Sequence, residues 1–224
     1  MEYDEIIKKL KSLSSPKNVE GMARFGINSK NTLGVSMPNV RKIAKEIGKD
    51  HKLAERLWNS KIHEARILAS LVDEPEKISE KQMEKWVYDF DSWDVCDQIC
   101  SNLFDKTEFA YKKVFEWSER KEEFVKRAGF VLMATMSVHD KKMRDSEFQK
   151  FFPLIKKYST DERNFVKKAV NWALRQIGKR NINLNKKAIN LAKEIQEIDS
   201  KTAKWIARDA LCELENEKIK KRFK

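Results

Sequence analysis

The chain has 224 residues, with 47 Lys and Arg against 35 Asp and Glu and a formal net charge of +12 at pH 7. Six glycines and four prolines are too few for a turn-rich β-sandwich or barrel. Neither G-x-G-x-x-G nor G-x-x-x-x-G-K-[ST] occurs, which removes the glycine-cradled nucleotide sites.

No apolar run reaches the length of a membrane span, and Met1-Glu2-Tyr3-Asp4 opens no signal peptide. Cys96, Cys100 and Cys212 make no even disulfide framework, so the expected compartment is the reducing cytoplasm. The charge excess points to a polyanionic partner. What remains is a soluble, basic, all-helical protein.

Helical spacing runs through almost the whole chain, broken by short punctuation. Ser14-Ser15-Pro16, Ser36-Met37-Pro38, Asp73-Glu74-Pro75, Asp89-Phe90-Asp91 and Tyr158-Ser159-Thr160 separate about a dozen helices. Asp91 is placed to cap a helix beginning at Ser92, and Ser159 with Glu162 has capping-box spacing. Gly178 suits a left-handed helix end. The connections are too short for a flexible linker, so residues 1–224 read as one helical array.

A repeat supports that reading. Phe124-Val125-Lys126-Arg127-Ala128 is echoed 41 residues later by Phe165-Val166-Lys167-Lys168-Ala169, and Trp205-Ile206-Ala207-Arg208 follows after 40 more. Such a period belongs to HEAT and armadillo units, so the expected fold is an armadillo-type, HEAT-like repeat solenoid, curved and with a basic concave face. Arg127, Lys168 and Arg208 share one repeat position, which predicts a row of cations suited to a phosphate backbone. A merely solvated basic face gives the same pattern.

His51, His63 and His139 show no metal spacing. Cys96 and Cys100, one turn apart, read as buried structural thiols. In Asp91-Ser92-Trp93-Asp94-Val95-Cys96-Asp97 the spacing puts Trp93 and Asp97 on one helical face, apart from an apolar stripe of Val95, Ile99 and Leu103. Asp94 falls in the first turn, where the helix dipole favours a carboxylate. Trp93 and Asp97 fit either a site or a core aromatic with an ion-pair partner. Trp172 has Lys168 one turn before it and Arg175 three residues after, the composition of a nucleic-acid surface. Trp58, Trp86, Trp117 and Trp205 read as core.

The ordered set Met22-Ala23-Arg24-Phe25, Leu33-Gly34-Val35-Ser36-Met37-Pro38, Ser92-Trp93-Asp94-Val95-Cys96-Asp97, Lys126-Arg127-Ala128 and Lys168-Ala169-Val170-Asn171-Trp172-Ala173-Leu174-Arg175 resembles the DNA alkylation-repair family of HEAT-like-repeat DNA glycosylases, over most of the chain. The resemblance implies Trp93, Asp97 and Trp172 at a catalytic cleft and Arg127 and Arg175 as DNA-backbone contacts. Lys168 and Arg208 join the DNA-binding set from the repeat alone. Ser92 and Phe25 depart from the family, whose active members can carry tryptophan and tyrosine there.

The function so implied is hydrolysis of the N-glycosidic bond of N3- or N7-alkylated purines in duplex DNA. It needs no metal or organic cofactor, and a monomer suffices. A non-catalytic HEAT-like module binding nucleic acid or protein is the alternative.

Overall fold

The computed structural model describes residues 1–223. Helices make up 72% of the chain, and no strand occurs among the described residues. No described helix is long and apolar enough to cross a membrane. The chain divides into two compact units, Met1–Glu108 and Phe109–Lys224.

The N-terminal unit contains α1 (Tyr3–Ser12), α2 (Pro16–Arg24), α3 (Met37–Ile47), α4 (His51–Asn59), α5 (His63–Val72), α6 (Glu80–Tyr88) and α7 (Trp93–Asn102), with 3₁₀ turns at Pro75–Lys77 and Phe104–Lys106. The C-terminal unit contains α8 (Ala110–Ser118), α9 (Glu123–His139), α10 (Asp145–Gln149), α11 (Phe152–Tyr158), α12 (Asn164–Gly178), α13 (Ile182–Gln196), α14 (Lys201–Leu214) and α15 (Glu217–Lys221).

Local chemistry sets many of these boundaries. Ser15, Asp50, Ser79, Asn181 and Ser200 each accept a first-turn backbone N–H, supplying a partner that the helix itself cannot. Pro16 and Pro38 occupy first-turn positions, where a missing N–H is tolerated.

Three expected helix ends form differently. Ser92, not Asp91, is the N-cap of α7, because Asp91 accepts from Asn28 Nδ2 at 2.9 Å and faces Arg66 at 3.6 Å. Ser159 donates to the Lys156 carbonyl, so no Ser159–Glu162 box forms and α12 starts at Asn164. Gly178 is the last residue of α12 without a positive φ. A Cβ there would lie 2.7 Å from Leu214 Cδ2 and 2.9 Å from Ala188 Cβ, so close packing selects the glycine.

In the N-terminal unit α5 packs against α3, α4 and α7. Its core centres on Trp58 stacked on Trp86 at 4.2 Å, with Phe90 and Phe104 beside them. The Trp58 Nε1–H donates to Asp89 Oδ2 at 2.9 Å, so the buried indole keeps a polar partner. In the C-terminal unit α9, α12 and α14 lie side by side, and every residue of α9 from Val125 to Ser137 is buried. A helix enclosed on all sides is an inner element.

A recurring interval links neighbouring segments within each unit. His63–Asp94, Trp58–Asp89 and Leu33–Glu64 span 31 residues. Arg127–Phe165, Asn171–Asp209 and Arg175–Glu213 span 38. The 38-residue step falls two or three residues, less than one helical turn, short of the 41- and 40-residue sequence repeat. Each residue therefore meets the neighbouring helix two or three residues before its repeat equivalent.

Glu64 shapes the segment that precedes α3. Its carboxylate is 1% exposed and accepts from the backbone N–H groups of Leu33 at 2.9 Å, Gly34 at 2.6 Å and Val35 at 3.1 Å. Gly34 sits at φ +75, and a Cβ there would collide with the Ser15 carbonyl. Glu64→Ala leaves three donors without their acceptor, so stability should fall by about 3 kcal/mol in urea unfolding. Amide exchange should rise first at Leu33, Gly34 and Val35.

Candidate nucleic-acid interface

On the N-terminal unit the motif at 91–97 is built from outside its own helix. His63, the first residue of α5, is buried and its Nε2 lies 2.8 Å from Asp94 Oδ2. Arg66, one turn on, donates to the Asp89 carbonyl at 3.2 Å and lies over the Trp58 ring at 5.2 Å. Asp94, which the sequence explains by the helix dipole, is the partner of a buried histidine.

Trp93 is half-buried, and its indole N–H donates to the Phe25 carbonyl at 3.0 Å. That bond and Asn28–Asp91 tie the segment after α2 to the start of α7. The Met22–Phe25 motif thus has a structural task, since it ends α2 where its last carbonyl meets Trp93. The Phe25 ring itself is 75% exposed. Asp97, one turn beyond Trp93, is half-buried, while Val95, Ile99 and Leu103 are wholly enclosed as the stripe predicts. Ser92 is fully enclosed, and its Oγ finds no partner among the described residues.

Cys96 and Cys100 are buried. Burial, with Cys96 and Asp97 alongside, pushes the Cys100 thiol up, so it stays protonated and is no nucleophile. No cluster of three or more His, Cys, Asp or Glu able to hold a metal occurs among the described residues.

The other candidates lie on the C-terminal unit. Trp172 is half-buried on α12, and Lys168, one turn before it, is exposed and unpaired among the described residues. Arg208 on α14 is likewise exposed and unpaired. Arg175 differs: Nη1 lies 2.7 Å from Glu213 Oε2, and Nε lies 3.5 Å from Asp209. Lys179 reaches the other Glu213 oxygen at 2.6 Å. Partial burial works against the Glu213 charge, but Lys179 and Arg175 outweigh it and hold the carboxyl below its usual range.

Arg127 does not belong to an exposed cationic row. It is 5% exposed, and Nη1 donates to the Phe165 carbonyl at 2.5 Å, tying α9 to α12. A guanidinium reaches far enough to bond the neighbouring helix, which a repeat position alone does not reveal.

Trp205 also departs from its core reading. It is 41% exposed on α14, with Lys167 Nζ 5.6 Å from its ring centroid. The signal was present, because Trp205 with Arg208 repeats the i, i+3 pattern of Trp172 with Arg175. Trp58, Trp86 and Trp117 are core residues.

Residues 6–214 match a family model described as DNA alkylation repair enzyme. The protein Lin0241 of Listeria innocua is 22% identical over 200 residues, covering 88% of this chain and 87% of that one. A solved structure described as a new family related to the HEAT-like repeat DNA glycosylases, with affinity for branched DNA structures, superposes with a TM-score of 0.79. It is 18% identical and covers 93% of this chain and 94% of its own. The all-helical, HEAT-like fold stands on that likeness.

The His63–Asp94 pair generates a pH prediction. Burial works against the imidazolium, but the Asp94 hydrogen bond and charge, with Glu64 and Asp91 nearby, outweigh it and raise the His63 pKa. A raised value means the pair's stabilisation is complete below about pH 6.5 and is lost as pH rises through the folded value. His63 should titrate above about 6.5 by NMR. Wild type should lose thermal stability through that range, and His63→Gln should lack this loss.

Proposed function

The chain belongs to the DNA alkylation repair enzyme family, and we propose that it is a monofunctional DNA glycosylase hydrolysing the N-glycosidic bond of N3- or N7-alkylated purines in duplex DNA. The observation that carries this reading is the pairing of an indole and a carboxylate on α7. Trp93 is fixed by its bond to the Phe25 carbonyl, and half-buried Asp97 lies one turn away.

Alkylation at N3 or N7 makes the purine cationic, so it leaves without a strong general acid. The C1′–N9 bond breaks with its electron pair passing to the base, which departs neutral. Positive charge then develops on the deoxyribose. Asp97 stabilises that charge and accepts a hydrogen bond from the water whose oxygen bonds to C1′, while the water's proton passes to the carboxylate and on to solvent. The Trp93 indole face favours the same developing cation, and on the C-terminal unit Trp172 is an indole for the DNA backbone. Lys168 and Arg208 supply phosphate contacts. Arg175 joins them by exchanging a carboxylate partner for a phosphate. Arg127 acts behind them by holding α12 against α9.

A non-catalytic DNA-binding module is the second reading. It is favoured by enclosed Ser92 and by Phe25, which lacks a phenolic hydroxyl, and by the solved relative's affinity for branched DNA.

Asp97→Asn separates the two readings. Release of methylated purine from duplex DNA should fall by about 10²-fold or more, roughly 3 kcal/mol on the barrier. Duplex affinity should hold or tighten slightly, since an anion has been removed near phosphate. Wild-type-like release by the variant would falsify the role of Asp97. DNA binding by wild type without any release would support the module.

The two cations should also behave differently. Lys168→Gln should weaken duplex binding and flatten the plot of log affinity against log salt by about one unit. Arg127→Gln should chiefly lower stability, by about 1–3 kcal/mol in urea unfolding, because it removes a buried charge-assisted bond. A full unit of lost salt slope in Arg127→Gln would return that residue to the interface.

A further inference from the structure

We propose that Trp205 and Lys167 form a stacking platform for one unpaired nucleobase of single-stranded DNA adjoining a duplex. The inference rests on reading the chain as a DNA-binding protein and uses none of its glycosylase chemistry.

The core does not explain Trp205. The buried face of α14 is complete with Ala203, Ile206, Ala207, Ala210 and Leu214, and the indole stands off that face. Lys167 Nζ lies 5.6 Å from the ring centroid, a distance at which the ammonium and the ring attract. Along α14, Lys201 one turn before the indole and Arg208 three residues after it are exposed and have no ion-pair partner among the described residues. The neighbouring carboxylate Asp209 is occupied by Asn171 at 2.6 Å and by Arg175 at 3.5 Å. The sequence repeat places Phe124, Phe165 and Trp205 at equivalent positions, and the first two rings already touch at 5.4 Å. Trp205, 41% exposed, is the repeat position that presents its ring to solvent.

Charge complementarity selects the occupant. Lys167, Lys201 and Arg208 beside an exposed indole repel a cationic peptide side chain and attract an anionic chain that carries flat rings. Nucleic acid has that combination, with phosphates for the lysines and a base for the indole. Inside a duplex both faces of a base are covered by its neighbours. Only an unpaired base offers a face to a protruding side chain.

The test compares a blunt duplex with the same duplex bearing a short oligo-dT tail, by fluorescence anisotropy at fixed salt. Wild type should bind the tailed DNA more tightly. Trp205→Ala should remove that preference, roughly a tenfold loss on the tailed DNA and the size of one base–aromatic stack. Its affinity for the blunt duplex and its circular dichroism should not change. Trp205→Phe should retain most of the preference, and Lys167→Met should lose part of it. Equal affinity of wild type for the two DNAs would overturn the platform, as would an equal loss on both in Trp205→Ala. Base release from methylated duplex should be unaffected by Trp205→Ala. If wild type releases no base but Trp205→Ala still erases the tail preference, the glycosylase reading falls and the platform stands.

Discussion

Three polar side chains in the first turn of α5 organise most of what surrounds the candidate site. His63 holds the first turn of α7 through Asp94, Glu64 gathers the backbone of residues 33–35, and Arg66 reaches the α6–α7 turn. All three are buried, so water cannot replace a lost partner. Burying such groups stabilises little in itself, yet leaving any one of them unpaired is costly. The cluster thus acts as a constraint on geometry. It fixes two chain segments, distant in sequence, against one helix.

The position of Trp93 follows from that constraint. Its indole N–H meets the Phe25 carbonyl because the segment between α2 and α3 is held by Glu64 at one end and by the Asn28–Asp91 bond near the other. The short motifs at 22–25, 33–38 and 92–97 are distant in sequence but belong to one hydrogen-bonded assembly. In the C-terminal unit the equivalent work is done by the 38-residue rungs, with Asp209 and Glu213 fixing the α12 side chains from α14. Many of the lysines and arginines there balance carboxylates within the fold. Lys168, Lys201 and Arg208 are among the described cations left for a partner.

Much of this was legible in the sequence. Ser15-Pro16 and Ser36-Met37-Pro38 marked the starts of α2 and α3, whereas the expected Asp91 and Ser159 caps did not form, and the apolar stripe of α7 read correctly because burial follows helical period. The repeat was visible only after residue 124. The N-terminal unit steps by 31 residues and shares no such phrase, so its packing logic emerged only in three dimensions. Arg127 and Trp205 were misplaced for different reasons. Periodicity assigns a face to a Cα, while the Arg127 guanidinium extends several ångströms past it to the Phe165 carbonyl, and the spacing of Trp205 from Arg208, which repeats Trp172 with Arg175, already set that indole off the core face. The role of Glu64 carried no signal, since a carboxylate aimed at backbone N–H groups looks like any surface glutamate.

The bonds at Trp93 have one property that sets them apart from the rungs. Trp93–Phe25 and Asn28–Asp91 join residues 68 and 63 positions apart, about twice the 31-residue step of their own unit. Closing a longer loop loses more chain entropy, and contacts of large sequence separation form late. Closing the indole–carbonyl junction therefore costs about 0.6 kcal/mol more chain entropy than closing one 31-residue rung. Both junction bonds are also solvent-exposed, unlike the buried Trp58–Trp86 stack, so the junction opens at lower free energy than that core. The segment after α2 can part from α7 while the rest of the unit remains folded.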